Sequence, residues 1–360
     1  MDGMQSRTTG GTLSPPVEQF PRSRGTEGKQ DRPYLGHARV TRRWGIGRIV
    51  WTTLRVVGAG LLAVFVIVFI LFWQDLSAAR ERLSAVSTDV YASQYGDIEY
   101  RLVGEGPTVL VSHGITGGLD SGESLVTQWR HIPNDYRFLY VSRFGYLNSS
   151  LPEDATPRLQ AAAYKDLLDH LGIERTIVVG NSAGGASAMW FAIDYPERTS
   201  GLILLSSSVP GPVPDPIPQL VREHDFVYWA AVKFAPDMLI GMLLPESISA
   251  TLTQEERGFI MDTAFKSSLP ISERTEGIRF DNEISVPGIN DVPFERIEAP
   301  TLILQSVDDP REEQGGGEMA TRIRNNQYLG LTGGHFLLRH EEEIRAATAA
   351  FIAELTSGDH

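Results

Sequence analysis

A serine lies at the centre of a small-residue motif that could form a nucleophile. Residues 180–185 read GNSAGG and match Gly-x-Ser-x-Gly around Ser182, between an apolar run at 176–179 and an alanine-rich segment at 184–195. A sharp strand-to-helix turn strains the serine backbone, needs small neighbours and places the hydroxyl at a helix N-terminus. The motif therefore predicts a nucleophilic Ser182. A plain glycine-rich turn or a phosphate-binding loop is the alternative.

A histidine in a second glycine-containing motif could be the base that such a serine requires. Residues 333–336 read GGHF and follow the apolar run 327–331. A nucleophilic serine needs a base within hydrogen-bond reach, and the base needs a carboxylate that orients it. His335 is therefore the candidate base. Asp308 and Asp309 follow the run 301–304, and either carboxylate is chemically suitable.

A third motif could supply backbone donors to an oxyanion. Residues 113–118 read HGITGG directly after a buried-type apolar run. Acyl transfer needs two such donors, and the natural pair is the N–H groups of Ile115 and Ala183. We expect His113 and Gly114 to support this loop, with the His113 ring taking no proton in catalysis.

These motifs lie in a chain where strand and helix signals alternate. We predict a hairpin over 90–103 that turns at Gly96-Asp97. Further strands are predicted at 108–112, 137–141, 176–179, 202–205, 301–304 and 327–331, with helices at 158–171, 184–195 and 340–355. Apolar runs without alternation are typical of strands buried on both faces, so the fold class is α/β with a mostly parallel sheet.

One long segment interrupts the alternation. Residues 209–293 begin with the proline-rich run VPGPVPDPIP and continue with apolar helical stretches at 226–232 and 238–244. A segment of this length between two strands predicts an insertion with its own structure, dividing a core of residues 90–208 and 294–356.

Composition and charge exclude several classes of protein. The chain has 360 residues, a net charge of −13 and no cysteine. Without cysteine there are no disulfides, thiolate metal sites or cysteine nucleophile. The negative charge argues against nucleic acid as a partner.

The N-terminal part differs from the rest. Residues 1–48 carry nine Lys/Arg against four Asp/Glu and predict a disordered basic tail. Residues 49–74 predict a transmembrane signal-anchor helix, because 56–73 contain no charge. Arginines precede this segment, so we expect a cytoplasmic N-terminus and the rest of the chain on the outer side, periplasmic or extracellular, after a stalk at 75–89. A cleaved signal peptide and a buried core helix are the alternatives.

Taken together, the motifs HGITGG, GNSAGG, SVDDP and GGHF resemble the α/β-hydrolase superfamily in order and spacing, over about residues 90–355. The resemblance implies an eight-stranded, mostly parallel sheet flanked by helices, with a helical cap entering after the sixth strand, which the insertion at 209–293 fits. It also implies Ser182 as the nucleophile, His335 as the base and Asp309 as the acid. Asp308 stays open, because the acid loop departs from the family's usual sequence.

The resemblance implies a hydrolase that needs no metal or organic cofactor. We expect a carboxylic ester hydrolase, carboxylesterase-like or lipase-like, that forms an acyl-enzyme with a lipophilic small molecule. Carbon–carbon bond hydrolysis, amide hydrolysis and perhydrolase activity would use the same triad. A non-catalytic binding module of this fold is the alternative from another class. We expect the membrane to be contacted through the N-terminal helix.

Overall fold

The computed structural model of the protein describes residues 44–129, 135–207, 218–309 and 313–357. Most of the predicted basic tail and the first part of the predicted insertion, 209–217, lie outside the described residues.

The core is an eight-stranded sheet in the order β1-β2-β4-β3-β5-β6-β7-β8. Its strands are β1 Asp89–Ser93, β2 Gly96–Val103, β3 Thr108–Ser112, β4 Arg137–Val141, β5 Thr176–Asn181, β6 Thr199–Leu205, β7 Thr301–Ser306 and β8 Asn326–Leu331. Strand β2 pairs antiparallel with β1 and β4, and every other pairing is parallel. The predicted α/β class and mostly parallel sheet are confirmed.

The helices flank this sheet and fill the insertion. They are α1 Trp44–Ser84, α2 Leu119–Trp129, α3 Pro157–His170, α4 Gly185–Asp194, α5 Gln219–Glu223, α6 Asp225–Phe234, α7 Pro236–Leu243, α8 Glu246–Ser249, α9 Gln254–Ile260, α10 Thr275–Phe280, α11 Glu313–Arg322 and α12 Glu341–Ser357. Helix α3 begins where the sequence favours it, because the Thr156 hydroxyl accepts from the Leu159 N–H at 3.0 Å and Pro157 occupies the first turn.

Both faces of the sheet are covered. Along β3, Leu110 packs into the cluster under α3 and α4, whereas Val109 and Val111 pack into the cluster under α2 and α12. All three side chains are fully buried. This explains why the strands read as continuous apolar runs rather than as alternating ones.

The opening hairpin turns earlier than we predicted. Ser93 pairs with Gly96, so the turn is formed by Gln94 and Tyr95, and the predicted Gly96-Asp97 turn is wrong. The Ser93 hydroxyl donates to the Gly96 carbonyl at 2.6 Å and accepts from the Tyr95 N–H at 3.0 Å. Gly96 has a φ of +100° and begins β2, which glycine adopts without a steric penalty.

The segment between β6 and β7 forms a helical cap. Helices α5 to α10 belong to it, joined by short 3-10 and π-helical turns. Leu239, Ile240, Leu244, Ile260 and Phe265 are buried in a hydrophobic cluster of the cap. The apolar stretches of the insertion therefore form a small core of their own as well as lining a cavity.

The described residues up to Leu61 and those from Leu62 onward form two separate compact units. Helix α1 crosses the boundary between them. Of the single helices among the described residues, only α1 is long and apolar enough to cross a membrane. The mean hydropathy of its most apolar stretch is 2.9. The residues that we expected as a separate stalk continue this helix to Ser84.

Candidate active site

Ser182 lies in a strained turn at the carboxyl end of β5. The strand ends at Asn181, a 3-10 turn covers Ser182–Gly184, and α4 begins at Gly185. The φ of Ser182 is +50°, in the left-handed region that non-glycine residues rarely adopt. This is the strand–turn–helix geometry that exposes a nucleophile above a sheet.

Three glycines around Ser182 permit this turn. A Cβ on Gly184 would lie 2.2 Å from the Ser112 carbonyl oxygen, and one on Gly180 would lie 2.7 Å from the Cα of Gly185. A Cβ on Gly185 would lie 2.5 Å from the Cβ of Ser207. The motif therefore contains glycine because the turn packs directly against neighbouring backbone and side chains.

Ser182 and His335 line the same cavity. It has a volume of about 270 Å³ and lies between the sheet edge and the cap, and Gly114 and Ile115 also line it. Its apolar wall consists of Leu125, Pro218, Val221, Ala231, Met238, Leu239, Met242, Leu243, Ala264, Phe265 and Phe336. Among the described lining residues there is no Lys, Arg, Asp or Glu.

The loop that carries His335 is held by Asp308. His335 lies in a 3-10 turn, Gly334–Phe336, directly after β8. The two oxygens of the Asp308 carboxylate accept from the N–H groups of Gly333 and Gly334, each at 2.9 Å. Asp308 therefore fixes the backbone next to the histidine.

Asp309 has different surroundings. It is fully buried, whereas Asp308 is partly exposed, and its N–H donates to the Ser306 hydroxyl at 3.1 Å at the end of β7. It does not line the cavity that Ser182 and His335 share. In the part of the chain that the structure describes, no group of three or more His, Asp or Glu side chains could hold a metal ion.

His113 is enclosed behind the HGITGG loop. Its ring is fully buried, with Nδ1 2.7 Å from the Gly114 carbonyl and Nε2 accepting from the Arg143 N–H at 3.0 Å. Burial and the nearby Arg143 guanidinium hold the pKa of His113 well below its usual value. This hydrogen-bond pattern assigns the neutral ring with a proton on Nδ1, which braces the loop.

The two expected oxyanion donors flank Ser182. Ile115 lines the cavity, and Ala183 is buried as the second residue of the turn that Ser182 begins. An N–H at this position has no acceptor within its own turn. A Cβ on Gly114 would lie 3.2 Å from the Cβ of Ser182, so the loop packs closely against the serine.

Two buried ion pairs attach the cap beside this loop. Arg143 follows β4 and donates to Asp281 of the cap, with both side chains fully buried. In the second pair the cap supplies the cation: Arg274 donates to Asp120, at the start of α2, at 2.8 Å. The sequence analysis assigned no role to any of these four residues. The signal for Arg143 was its place in the SRFGYLNSS loop after a strand, and Asp281 carries no local signal.

Tyr146 links the Arg143–Asp281 pair to the HGITGG loop. Its hydroxyl donates to Asp281 at 2.5 Å and contacts the Thr116 backbone, and its ring lies edge-on to His113 with centroids 4.7 Å apart. The cap approaches closely here, because a Cβ on Gly277 would lie 2.2 Å from the Tyr146 ring.

Known proteins share this architecture. Residues 107–230 match the family model described as the alpha/beta hydrolase fold. A 2-hydroxy-6-oxo-6-phenylhexa-2,4-dienoate hydrolase from Comamonas testosteroni is 39% identical over 114 residues, covering 30% of this chain and 39% of that protein. A 2-hydroxy-6-oxononadienedioate/2-hydroxy-6-oxononatrienedioate hydrolase from a Pseudomonas species is 34% identical over 149 residues, covering 40% and 52%. The chain thus matches about two fifths to one half of the length of these curated relatives.

A solved structure extends the likeness over a larger part of the chain. An alpha/beta hydrolase fold protein from Nakamurella multipartita superimposes with a TM-score of 0.58 at 22% identity, covering 74% of this chain and 98% of that one. The chain therefore has the α/β-hydrolase fold.

Proposed function

We propose that the protein is a serine hydrolase whose substrate is a neutral, lipophilic carboxylic ester. The observation that carries this proposal is Ser182 in a left-handed turn, lining one cavity with His335. In the proposed roles, Ser182 is the nucleophile, His335 the base and Asp309 the acid. The N–H groups of Ile115 and Ala183 are the oxyanion donors.

Asp309 is preferred to Asp308 as the acid for a reason of geometry. Both oxygens of Asp308 already accept from backbone N–H groups of the histidine loop. A triad carboxylate is buried and orients the imidazole. Asp309 is the fully buried carboxylate at the end of β7.

The proposed reaction is acyl transfer in two steps. His335 takes the Ser182 proton as the hydroxyl oxygen attacks the ester carbonyl, and the two N–H groups stabilise the oxyanion. The alcohol leaves with the proton from His335. Water then attacks the acyl-enzyme with His335 again as base, which releases the acid and regenerates Ser182.

The lining of the cavity favours an uncharged substrate. The curated relatives are named for dienoates, which carry a carboxylate. A buried carboxylate needs a cationic or hydrogen-bonding partner. The described lining residues of this cavity include no Lys or Arg, so a carboxylate would have only hydroxyl, amide and imidazole groups as partners, whereas the apolar wall suits an alkyl or aryl group. Carbon–carbon bond hydrolysis, which the names of these relatives suggest, is the second candidate.

We further propose that α1 is a retained membrane anchor with the hydrolase domain on the outer side. The basic residues before the apolar run and the length of α1 support this orientation. Expression of the full chain followed by carbonate extraction and intact-mass analysis tests retention. A protein of full mass in the membrane pellet is expected, and a soluble product shortened to near residue 80 would overturn it.

Fluorophosphonate labelling tests the nucleophile. The full chain in detergent should be labelled, and the Ser182→Ala variant should not. A series of chromogenic esters compared with an oxodienoate under the same conditions then separates the two candidate reactions. Turnover of the oxodienoate with no ester hydrolysis would replace the ester proposal by the second candidate. A folded wild-type chain that is not labelled would contradict both.

A further inference from the structure

The C-terminal turns of α1 lie against the cap. Four of its side chains form one stripe at helical spacing and pack on the cap cluster that contains Tyr228 and Trp229. The stripe consists of Val68, Phe72, Leu76 and Ala79. The Phe72 ring lies 5.2 Å from the Phe226 ring and 5.6 Å from the Trp229 ring, centroid to centroid.

Polar contacts fix the helix in this position. Asp75 accepts from the Trp229 indole N–H at 2.8 Å and from the Lys233 ammonium at 3.0 Å. One turn beyond the stripe, Arg82 donates to the carbonyl groups of Ser267 and Leu269 at 3.0 and 2.9 Å. The cap therefore has one defined orientation relative to this part of the helix.

The contact begins inside the uncharged run of α1. Val68 and Phe72 belong to residues 56–73, which contain no charged side chain. At 1.5 Å per residue, Val68 lies about 8 Å below the end of that run at Trp73. An interfacial helix buries its apolar face about 5–10 Å into a bilayer. Phe72 lies only about 1.5 Å below the same end, so the cap residues that its ring contacts lie at the edge of the bilayer whenever the run is in the membrane.

Helices α5 to α7 of the cap expose large apolar side chains. We call Leu220, Phe226, Phe234 and Met238 the apolar cap surface. They are 60%, 44%, 63% and 57% exposed, and they lie on the consecutive short helices α5, α6 and α7. Helices α6 and α7, bent by 94° at their junction, together are as apolar as a membrane-spanning segment. Such a concentration marks an interaction surface rather than scattered surface residues.

The cavity that holds Ser182 opens beside this surface. Met238 lines the cavity and is also largely exposed, so it lies at the mouth. Pro218 and Val221, the neighbours of exposed Leu220, line the cavity as well. The cavity thus adjoins the apolar cap surface at Met238, and its described lining contains no Lys, Arg, Asp or Glu.

We propose that the apolar cap surface inserts into the lipid bilayer beside α1, and that the enzyme takes its ester from the bilayer rather than from water. The first part rests on the contacts of α1 with the cap, and the second rests on the proposed function. Lipid is the occupant because the surface is continuous with the apolar run through the Phe72–Phe226 and Phe72–Trp229 contacts.

The absence of cysteine from the chain permits a direct test of insertion. The full chain is placed one copy per nanodisc, and Phe234→Cys is labelled with a polarity-sensitive fluorophore. Brominated lipids should quench it at least twofold. The matched control is Ala353→Cys, which is exposed on α12 next to Leu355, the residue that packs at the amino end of β6. This label should not be quenched.

Equal quenching at the two positions would overturn the insertion. In larger vesicles, cross-linking of two copies through Phe234→Cys, combined with no quenching in single-copy nanodiscs, would assign the surface to a homodimer and also overturn it. Neither measurement depends on activity, so failure of the proposed hydrolase function does not affect this result.

A second experiment tests the source of the substrate. The double variant Phe226→Ser/Phe234→Ser changes two residues outside the cavity lining. Its rate on a long-chain ester dissolved in the nanodisc bilayer should fall at least tenfold, while its rate on a water-soluble short-chain ester stays within twofold. Val90→Ser, at another exposed apolar residue, should change neither rate. An equal loss on both esters, or no loss on either, would overturn substrate uptake from the bilayer.

Discussion

The guanidinium of Arg143 and the carboxylate of Asp281 form a fully buried ion pair between the loop after β4 and the cap. One bond of the pair, from Nη1 to Oδ1, measures 2.7 Å, and the Tyr146 hydroxyl donates to Oδ2. The same Arg143 gives its backbone N–H to the ring of His113. Cap attachment and the candidate oxyanion loop thus share one residue.

Removing one partner of this pair should destabilise the protein strongly. Arg143→Met leaves a buried carboxylate without its cation, so we expect the free energy of unfolding to fall by about 3–5 kcal/mol. Arg143→Met/Asp281→Leu should lose less than Arg143→Met alone, because no charge stays buried. Urea unfolding of Arg143→Met, Asp281→Leu and the double variant measures the coupling energy between the two side chains. Additive losses would contradict the predicted coupling.

Comparison of Asp309→Asn with Asp308→Asn should distinguish a carboxylate that orients the His335 ring from one that supports the loop carrying His335. If Asp309 is the acid, Asp309→Asn should lower kcat by about 10⁴-fold with the fold retained. Asp308→Asn places an amide N–H against a backbone N–H, so it should cost about 1–2 kcal/mol of stability and lower kcat by about 10- to 100-fold. Kinetics and thermal unfolding of both variants provide the comparison, and the reversed order would assign Asp308 as the acid.

The left-handed backbone conformation of Ser182 should lower the free energy of unfolding. Ser182→Ala and Ser182→Gly should both abolish fluorophosphonate labelling. Ser182→Gly should be more stable than Ser182→Ala by about 0.5–1 kcal/mol, because glycine relieves the left-handed strain at φ +50° but gains entropy in the unfolded chain. Chemical unfolding of the two inactive variants tests this. Equal stability would mean that the strain relieved at this residue is no larger than the entropy cost of glycine.

His113 should make stability depend on pH below about 6.5. Burial, followed by Arg143, lowers the folded-state pKa of this histidine, so the unfolded chain binds a proton first as the pH falls. The contribution is fully present above the unfolded value of about 6.5. It is lost on acidification at up to about 1.4 kcal/mol per pH unit. His113→Gln should flatten the pH dependence of the urea midpoint between pH 6.5 and 5. An unchanged slope would show that His113 titrates alike in both states.

Local patterns predicted the sheet and the positions of the motifs. The run Thr108–Ser112 is a strand with the predicted bounds, because a strand buried on both faces is apolar throughout. Glycine at 180 and 184 likewise follows from close backbone contacts within one turn. These features depend on neighbours in sequence or on one repeated packing rule, so they can be read without the fold.

Contacts between distant segments could not be read in this way. Helix α11 contains Gly315, Gly316 and Gly317, which disfavour a helix, yet burial of Met319 and Ile323 against the sheet stabilises it. The same holds for the Arg143–Asp281 pair, whose partners are 138 positions apart. No local pattern marks such partners, because their selection depends on the folded arrangement.

The close approach of Gly277 to the Tyr146 ring limits how this protein can be re-engineered. The cap begins after β6 and ends before the neighbouring strand β7, so its two ends lie close together and the segment between them can be exchanged. A transplanted cap with any side chain at position 277 would collide with the Tyr146 ring. A transplanted cap without a carboxylate at position 281 would leave the buried Arg143 guanidinium without its ion-pair partner. Chimeras designed to change substrate range should therefore transplant residues 218–273 and keep the native segment from 274 to 285, which also retains the Arg274–Asp120 pair.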